Sequence, residues 1–169
     1  MFSFVEVCMP VKANFMRRFS PLLLTFFVLA SMQSTAQSTS ADSVKAVITQ
    51  MFVAMKNADS VSLRGVFADR AILQSLTRTP EAKSVVKNEP LGEFINFIGK
   101  QPVGACDERI EFESVLVDGS LASVWTPYKF YFKGQLRHCG VNSFQLVRID
   151  QSWKIQYIID TRIREGCEE

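Results

Sequence analysis

Apolar residues recur at a helical period in the first half of the chain and at a strand period in the second. Val44, Val47, Ile48, Met51, Phe52 and Met55 form one stripe, at offsets 0, 3, 4, 7, 8 and 11 from the first. That spacing predicts a helix over roughly 41–57, with Ser40 or Asp42 capping its start. Asn57-Ala58-Asp59-Ser60 ends it and caps a second short helix running through Leu63, Val66 and Phe67. Residues 71–77 (AILQSLT) are a short strand candidate, and the polar, Pro-containing stretch 79–88 reads as a loop. A third helix is predicted near 89–98, capped by Asn88, with Pro90 in its first turn. Leu91, Phe94, Ile95 and Ile98 would be its buried stripe, and Gly99 its stop.

Four β-rich runs follow, at 107–117, 121–132, 136–149 and 153–163. Asp118-Gly119 is a hairpin signal, and Lys133-Gly134-Gln135 and Asp150-Gln151-Ser152 mark two further turns. These runs are longer than the usual strand of roughly 5–6 residues. Long twisted strands curl, so one face becomes concave and receives the helices. The expected fold is α+β: N-terminal helices packed in a strongly curved antiparallel sheet, forming a cone-shaped barrel.

The inner face depends on register, because a slip of one residue exchanges the two faces. In the last run Trp153, Ile155, Tyr157 and Ile159 alternate with Lys154 and Gln156, which puts the odd set inside. A two-residue turn then sets Tyr157 opposite Phe144 and Ile159 opposite Asn142. His138, Asn142, Phe144 and Leu146 point inward with them. A three-residue connection through Gly134 matches Tyr128 with Gly140 and Phe130 with His138. It sends Val124, Thr126, Tyr128, Phe130 and Phe132 inside. A two-residue connection would instead send Trp125 and Tyr131 inside. Pro127 cannot donate a ladder hydrogen bond and implies a bulge or an edge.

Among the 169 residues, 47% are hydrophobic and 21% charged, as in a globular domain. A leader is expected over 1–36. Met16-Arg17-Arg18 precedes the apolar run 22–30 and the small residues Ser34-Thr35-Ala36, a secretory signal pattern with a mature start near Gln37. Met16 is an alternative start, and an uncleaved membrane anchor is the alternative to cleavage. The expected location is periplasmic or secreted, with one domain over 37–169 and no membrane attachment after cleavage. Without 1–36 the chain keeps 16 basic and 16 acidic residues. Zero net charge argues against a nucleic-acid partner.

Cys8 belongs to the leader, leaving Cys106, Cys139 and Cys167. In an oxidising compartment a disulfide is expected. Cys139–Cys167 is preferred, because the tail after Ile163 can fold back over the sheet end that carries Cys139. Cys106–Cys167 and three unpaired thiols are the alternatives. The cysteines lack metal-ligand spacing, so neither a metal nor a cofactor is expected.

The order of elements, with Ser152-Trp153-Lys154-Ile155 after a turn, resembles the nuclear transport factor 2-like superfamily, which includes SnoaL-like and ketosteroid isomerase-like proteins. VWTPYKFYFKGQLRHCGVNSFQLV followed by WKIQYIIDTR resembles exported bacterial members of lumazine-binding-like type. The resemblance covers about 41–163. It implies a cone with a pocket between helices and sheet, often dimeric through the outer face of the sheet. The superfamily holds isomerases, dehydratases, cyclases and non-catalytic binding modules, so the fold does not settle the activity.

The proposed inner wall supplies the candidate chemistry: Thr126, Tyr128, Phe130, His138, Asn142 and Tyr157. His138, the only histidine, is a candidate general acid or base, and Tyr128 and Tyr157 are candidate donors to a carbonyl. The plainer readings are a hydrogen-bonded surface histidine and tyrosines that pack the wall. Asn142 in a strand interior needs a partner and suits a ligand anchor. Asp160 and Arg162 are expected to face outward; a slipped register would bring them into the mouth of the cone. No carboxylate is expected on the inner wall, since Asp107, Glu108, Glu111 and Glu113 are read as lying off its apolar face.

Three functions follow. The first is an exported domain that binds a small hydrophobic or aromatic molecule. The second is an enzyme of SnoaL-like or ketosteroid isomerase-like type that moves a proton next to a carbonyl, with His138 and Tyr128 as catalytic candidates. The third is a homodimeric interaction module using Trp125 and Tyr131. The shortage of inner acids favours binding over catalysis.

Overall fold

The structure is a computed structural model that describes residues 21–79, 81 and 83–167, with side chains from residue 39 onward. The basic start of the leader, Cys8 and the alternative start at Met16 lie outside the described residues. The chain divides into two compact units, Met1–Ser34 and Thr35–Glu169. Helix α1 spans Pro21–Lys56. The expected start at Ser40 or Asp42 is therefore not a helix end, and capping by either is ruled out. Ser43 instead donates back to the Thr39 carbonyl at 2.9 Å, as a mid-helix hydroxyl does. No described helix is long and apolar enough to cross a membrane.

Within the second unit the predicted stripe of α1 is the core of the domain. Val44 and Ile48 are fully buried, and Met51, Phe52 and Met55 nearly so. Helix α2, Ser60–Gly65, is capped by Asp59, whose Oδ1 accepts from the Val61 and Ser62 amides. Val66 and Phe67 fall beyond it, and Phe67 opens strand β1 (Phe67–Arg78), longer at both ends than predicted. The second half of the expected loop over 79–88 belongs to strand β2 (Ser84–Glu89), an exposed edge paired antiparallel to β1. Its two apolar residues, Val85 and Val86, are adjacent and both exposed, so no alternation marks it. Helix α3 spans Leu91–Gly99 and is preceded by Pro90 without a side-chain cap. Asn88 does not cap it: its Oδ1 accepts from Gln74 Nε2 at 2.8 Å across the β1–β2 pair.

The remaining strands are β3 (Cys106–Ile110), β4 (Ser114–Asp118), β5 (Leu121–Phe132), β6 (Gln135–Ile149) and β7 (Ser152–Thr161). The single long run expected over 107–117 is thus two strands. The interruption faces Pro127, whose carbonyl accepts from Glu111 while the ring offers no amide in return. The sheet is curved and open, in the order β2-β1-β7-β6-β5-β3, with β4 also on β5. It is mixed rather than purely antiparallel, because β1 and β7 run parallel. The fold is α+β, with helices packed in the concave face.

Two bulges decide which side chains enter the cone. At the β5–β6 turn, Phe132 pairs with Gln135 across two residues, and Arg137 is then extra. Beyond it Tyr128 pairs with Gly140 and Phe130 with His138, the pairing expected from a longer turn. At the β6–β7 turn, Ile149 pairs with Ser152 and Leu146 with Ile155, as predicted. Gln156 is then extra, and beyond it Phe144 faces Ile158 and Asn142 faces Asp160. Tyr157 and Ile159 therefore leave the inner face, and Ile158 and Asp160 replace them. A single inserted residue exchanges every later side chain between faces.

Candidate functional site

Between α1, α3 and the concave sheet lies a cavity of about 470 Å³. Met51 and Met55 of α1, Phe94 and Ile98 of α3, and Leu73 and Ile158 of the sheet give it apolar walls. Polar groups gather where β3, β6 and β7 meet it. They are Glu108, Asn142 and Asp160, with the more exposed Glu89 and Arg162 beside them.

Glu108 overturns the expectation of an acid-free wall. It lies on β3 opposite Phe130 and shares strand parity with Ile110 and Phe112, so the face that is apolar in sequence carries it inward. Asn142 Nδ2 donates to its Oε1 at 2.8 Å. Loss of hydration raises its pKa to about 7; the Asp160 charge adds to the rise, while Asn142 and Arg162 oppose it. Glu108 is thus a carboxyl group that exchanges its proton near neutral pH.

Asp160 is the second inner acid, and its environment differs. Ser75 and Tyr128 donate hydroxyls to it, and Arg162 Nε donates to Oδ2 at 2.7 Å. Arg162 also reaches Glu89 Oε1 at 2.9 Å. The pair expected on the outer face is therefore inside, at the cavity, as the slipped register implies.

Tyr128 and His138 adjoin this cluster. The Tyr128 hydroxyl lies 3.1 Å from Asp160 Oδ2, 2.9 Å from the Thr161 carbonyl and 3.0 Å from His138 Nδ1. A phenol has one proton, and the first two neighbours only accept. His138 must then donate from Nδ1 to the phenol oxygen, which assigns its proton to Nδ1 and leaves Nε2 as an acceptor. Burial lowers the His138 pKa to about 4, with the charges of Arg162, Arg164 and Arg137 adding to the effect and Asp160 opposing it. The ring is a neutral imidazole at neutral pH, stacked on Phe130 with centroids 4.9 Å apart. Burial, then the charges of Asp160 and Glu108, raises the Tyr128 pKa, so the phenol keeps its proton while it accepts from His138.

Of the six predicted wall residues, Phe130, His138 and Asn142 line the cavity. Tyr128 stands behind His138 and is linked to it by the hydrogen bond. Thr126 is fully buried on the inner face but does not reach the cavity. Its Oγ1 has no partner among the described residues. Thr126→Val, which keeps the shape and removes the orphan hydroxyl, is expected to raise stability by about 1 kcal/mol in urea unfolding. Tyr157 is outside, with its hydroxyl donating to Gln74 Oε1 at 2.6 Å. Cys139 and Cys167 are bonded to each other across 28 residues, and Cys106 is free and buried. Glu108 was within reach of strand parity alone, whereas Asp160 and Arg162 required knowledge of the bulge at Gln156.

The two titrating groups have opposite effects on stability. Glu108 holds its proton to about pH 7 when folded and only to about 4.5 otherwise, so its contribution is lost as pH rises through that interval. His138 resists protonation down to about 4 against an ordinary 6.5, so its contribution is lost as pH falls through that interval. The slopes offset each other between about 4.5 and 6.5. In Glu108→Gln, stability should rise from pH 4 to 6.5. In His138→Asn it should fall from pH 4.5 to 7. Urea midpoints across this range check both, and parallel profiles for the two variants would contradict the assignment.

Comparison with solved structures then places the architecture. A Shewanella baltica protein of unknown function described as nuclear transport factor 2-like superposes with a TM-score of 0.60 at 14% identity, covering 75% of this chain and 95% of the other. This is the nuclear transport factor 2-like fold. A nuclear transport factor 2-like protein of unknown function from Silicibacter pomeroyi gives a TM-score of 0.56 at 17% identity, covering 76% and 98%. A Streptomyces avermitilis protein of the nuclear transport factor 2-like family, named as a candidate dehydratase, gives 0.54 at 16% identity, covering 75% and 97%. The sequence itself matches no family model and no curated protein. At these identities the likeness establishes the nuclear transport factor 2-like fold alone, and the site has to be argued from its own geometry.

Proposed function

We propose that the domain is an exported small-molecule-binding protein. It holds a largely apolar ligand with one hydrogen-bonding group at Glu108 and Asn142. The observation that carries this reading is the open cavity of about 470 Å³, apolar on most sides and polar at one end, a size suited to a small organic ligand. Export is supported by the signal-like leader and by the Cys139–Cys167 disulfide, which fits an oxidising compartment. The mass of the secreted chain would test it, with a start near Gln37 expected. Pairing of two copies through the outer sheet face fits the exposure of Trp125 and Leu116, and light scattering would test that.

The binding test is a thermal-shift screen with aromatic and heterocyclic compounds. A ligand at 100 times its Kd should stabilise the fold by about 2.7 kcal/mol. Asn142→Leu should weaken a hit at least tenfold. A screen without any shift, or hits indifferent to Asn142, would defeat the reading.

A second reading has its own support. A carboxyl group with a pKa of about 7 inside a cavity is suited to move protons at neutral pH. In that case Glu108 takes a proton next to a ligand carbonyl, and Asn142 steadies the carboxylate that results. The candidate dehydratase named above has the same fold, which is compatible with such chemistry but does not select it. Deuterium exchange at carbons next to a carbonyl of a bound ligand, lost in Glu108→Gln, is the expected sign. Exchange unaffected by that substitution would rule Glu108 out.

A further inference from the structure

A second hollow of about 420 Å³ adjoins the binding cavity across a common wall of Phe97, Phe130 and His138. These three residues line both spaces. The second hollow adds Phe132 and Leu136 as apolar floor and Arg137 and Arg164 as its charged residues. No acidic residue lines it, whereas the main cavity is lined by Glu89, Glu93, Glu108 and Asp160 against Arg162 alone. The two compartments thus have opposite charge and share one aromatic wall. Lys133, with its ammonium 5.4 Å from the Phe132 ring centroid, adds a further positive charge beside the second hollow.

Two local features place these arginines. Arg137 is the extra residue of the β6 bulge. Arg164 lies on the tail, which is held to the sheet by paired backbone hydrogen bonds between Cys139 and Ile163 and by the Cys139–Cys167 disulfide. Both guanidinium charges bear on the His138 ring between the compartments.

We propose that the second hollow is an anion subsite, and that the ligand of this domain is an aromatic or apolar acid whose carboxylate is held by Arg137 and Arg164 while its body crosses Phe130 into the main cavity. This rests on the binding reading above and names its ligand class. Guanidinium groups suit a carboxylate because each offers two parallel donors.

Calorimetry with 2-naphthoate and its neutral counterpart 2-naphthamide, at pH 8, provides the test. The acid should bind the wild-type protein at least tenfold more tightly than the amide. In Arg137→Gln/Arg164→Gln, both exposed positions, acid affinity should fall to that of the amide, with amide affinity unchanged. Reduction of the disulfide should produce part of the same loss by freeing the tail. If the amide binds and the acid binds no better, or if the double variant keeps the preference, the anion subsite is wrong and the pocket stands. If neither compound binds, the pocket reading fails and the subsite with it.

Discussion

Replacing Asp160 with alanine is expected to destabilise the domain by about 4 kcal/mol, or roughly 15 °C in Tm. The effect follows from what the carboxylate holds together. Ser75 on β1, Tyr128 on β5 and Arg162 at the end of β7 all donate to it, so one buried group ties three strands. Truncation leaves two hydroxyls without that acceptor and a half-buried guanidinium whose remaining ion pair is with Glu89. Loss of three hydrogen bonds to a buried carboxylate, each worth about 1.5 kcal/mol, is the costly part. Asp160→Asn, which keeps an acceptor, should lose about half as much. Urea unfolding of both variants measures this; a loss below about 1 kcal/mol for the alanine variant would mean that the cluster contributes little to holding the strands.

Gly140→Ala is expected to cost about 3 kcal/mol, although it adds a single methyl group to a strand. A Cβ at residue 140 would lie 2.0 Å from the Thr161 carbonyl oxygen and 2.9 Å from its carbon. These are backbone atoms that cannot swing aside, so β6 and β7 must separate. The same carbonyl lies 2.9 Å from the Tyr128 hydroxyl, and the Val141 amide donates to Thr161 Oγ1 at 3.1 Å. Separation would therefore loosen the tyrosine behind His138 as well as the sheet. Gly65→Ala, where nothing lies within 4 Å, is the matched control and should leave stability at or above wild type. A Gly140→Ala protein as stable as wild type would show that the strand ends are free to move apart.

The apolar rhythm of the chain carried the framework. The α1 stripe, the α3 stripe and the three long strands follow it because each buries one face against the others. The pairing of Tyr128 with Gly140 was legible because the apolar sets of β5 and β6 align in only one way. Strand β2 was not legible, since an exposed edge leaves no alternation to detect. The site was legible in part. Phe130, His138 and Asn142 follow from register, and Glu108 follows from its parity with Ile110 and Phe112 once the face is chosen. Tyr157 and Asp160 exchange places because periodicity assumes an unbroken strand, and Gln156 breaks it. Its side-chain amide donates to the Arg70 carbonyl on the neighbouring β1, a contact across 86 residues of sequence that no local pattern announces.

That one residue gives the last strand two phases. Before Gln156 the odd positions Trp153 and Ile155 fill the dry core, and after it the even positions Ile158 and Asp160 take the inner face. Paired as an ordinary strand residue, Gln156 would restore a single phase, direct Tyr157 and Ile159 inward and turn the Asp160 side chain toward solvent. The polar end of the cavity would close as greasy filling without any change in the catalogue of side chains present. Deleting Gln156 would instead remove the bulge and leave the pairs Gln145–Tyr157 and Asn142–Asp160 standing, with Asp160 still inside. In this scaffold, then, a ligand site is made or unmade by whether one residue is bulged or paired, more than by substitution along its walls.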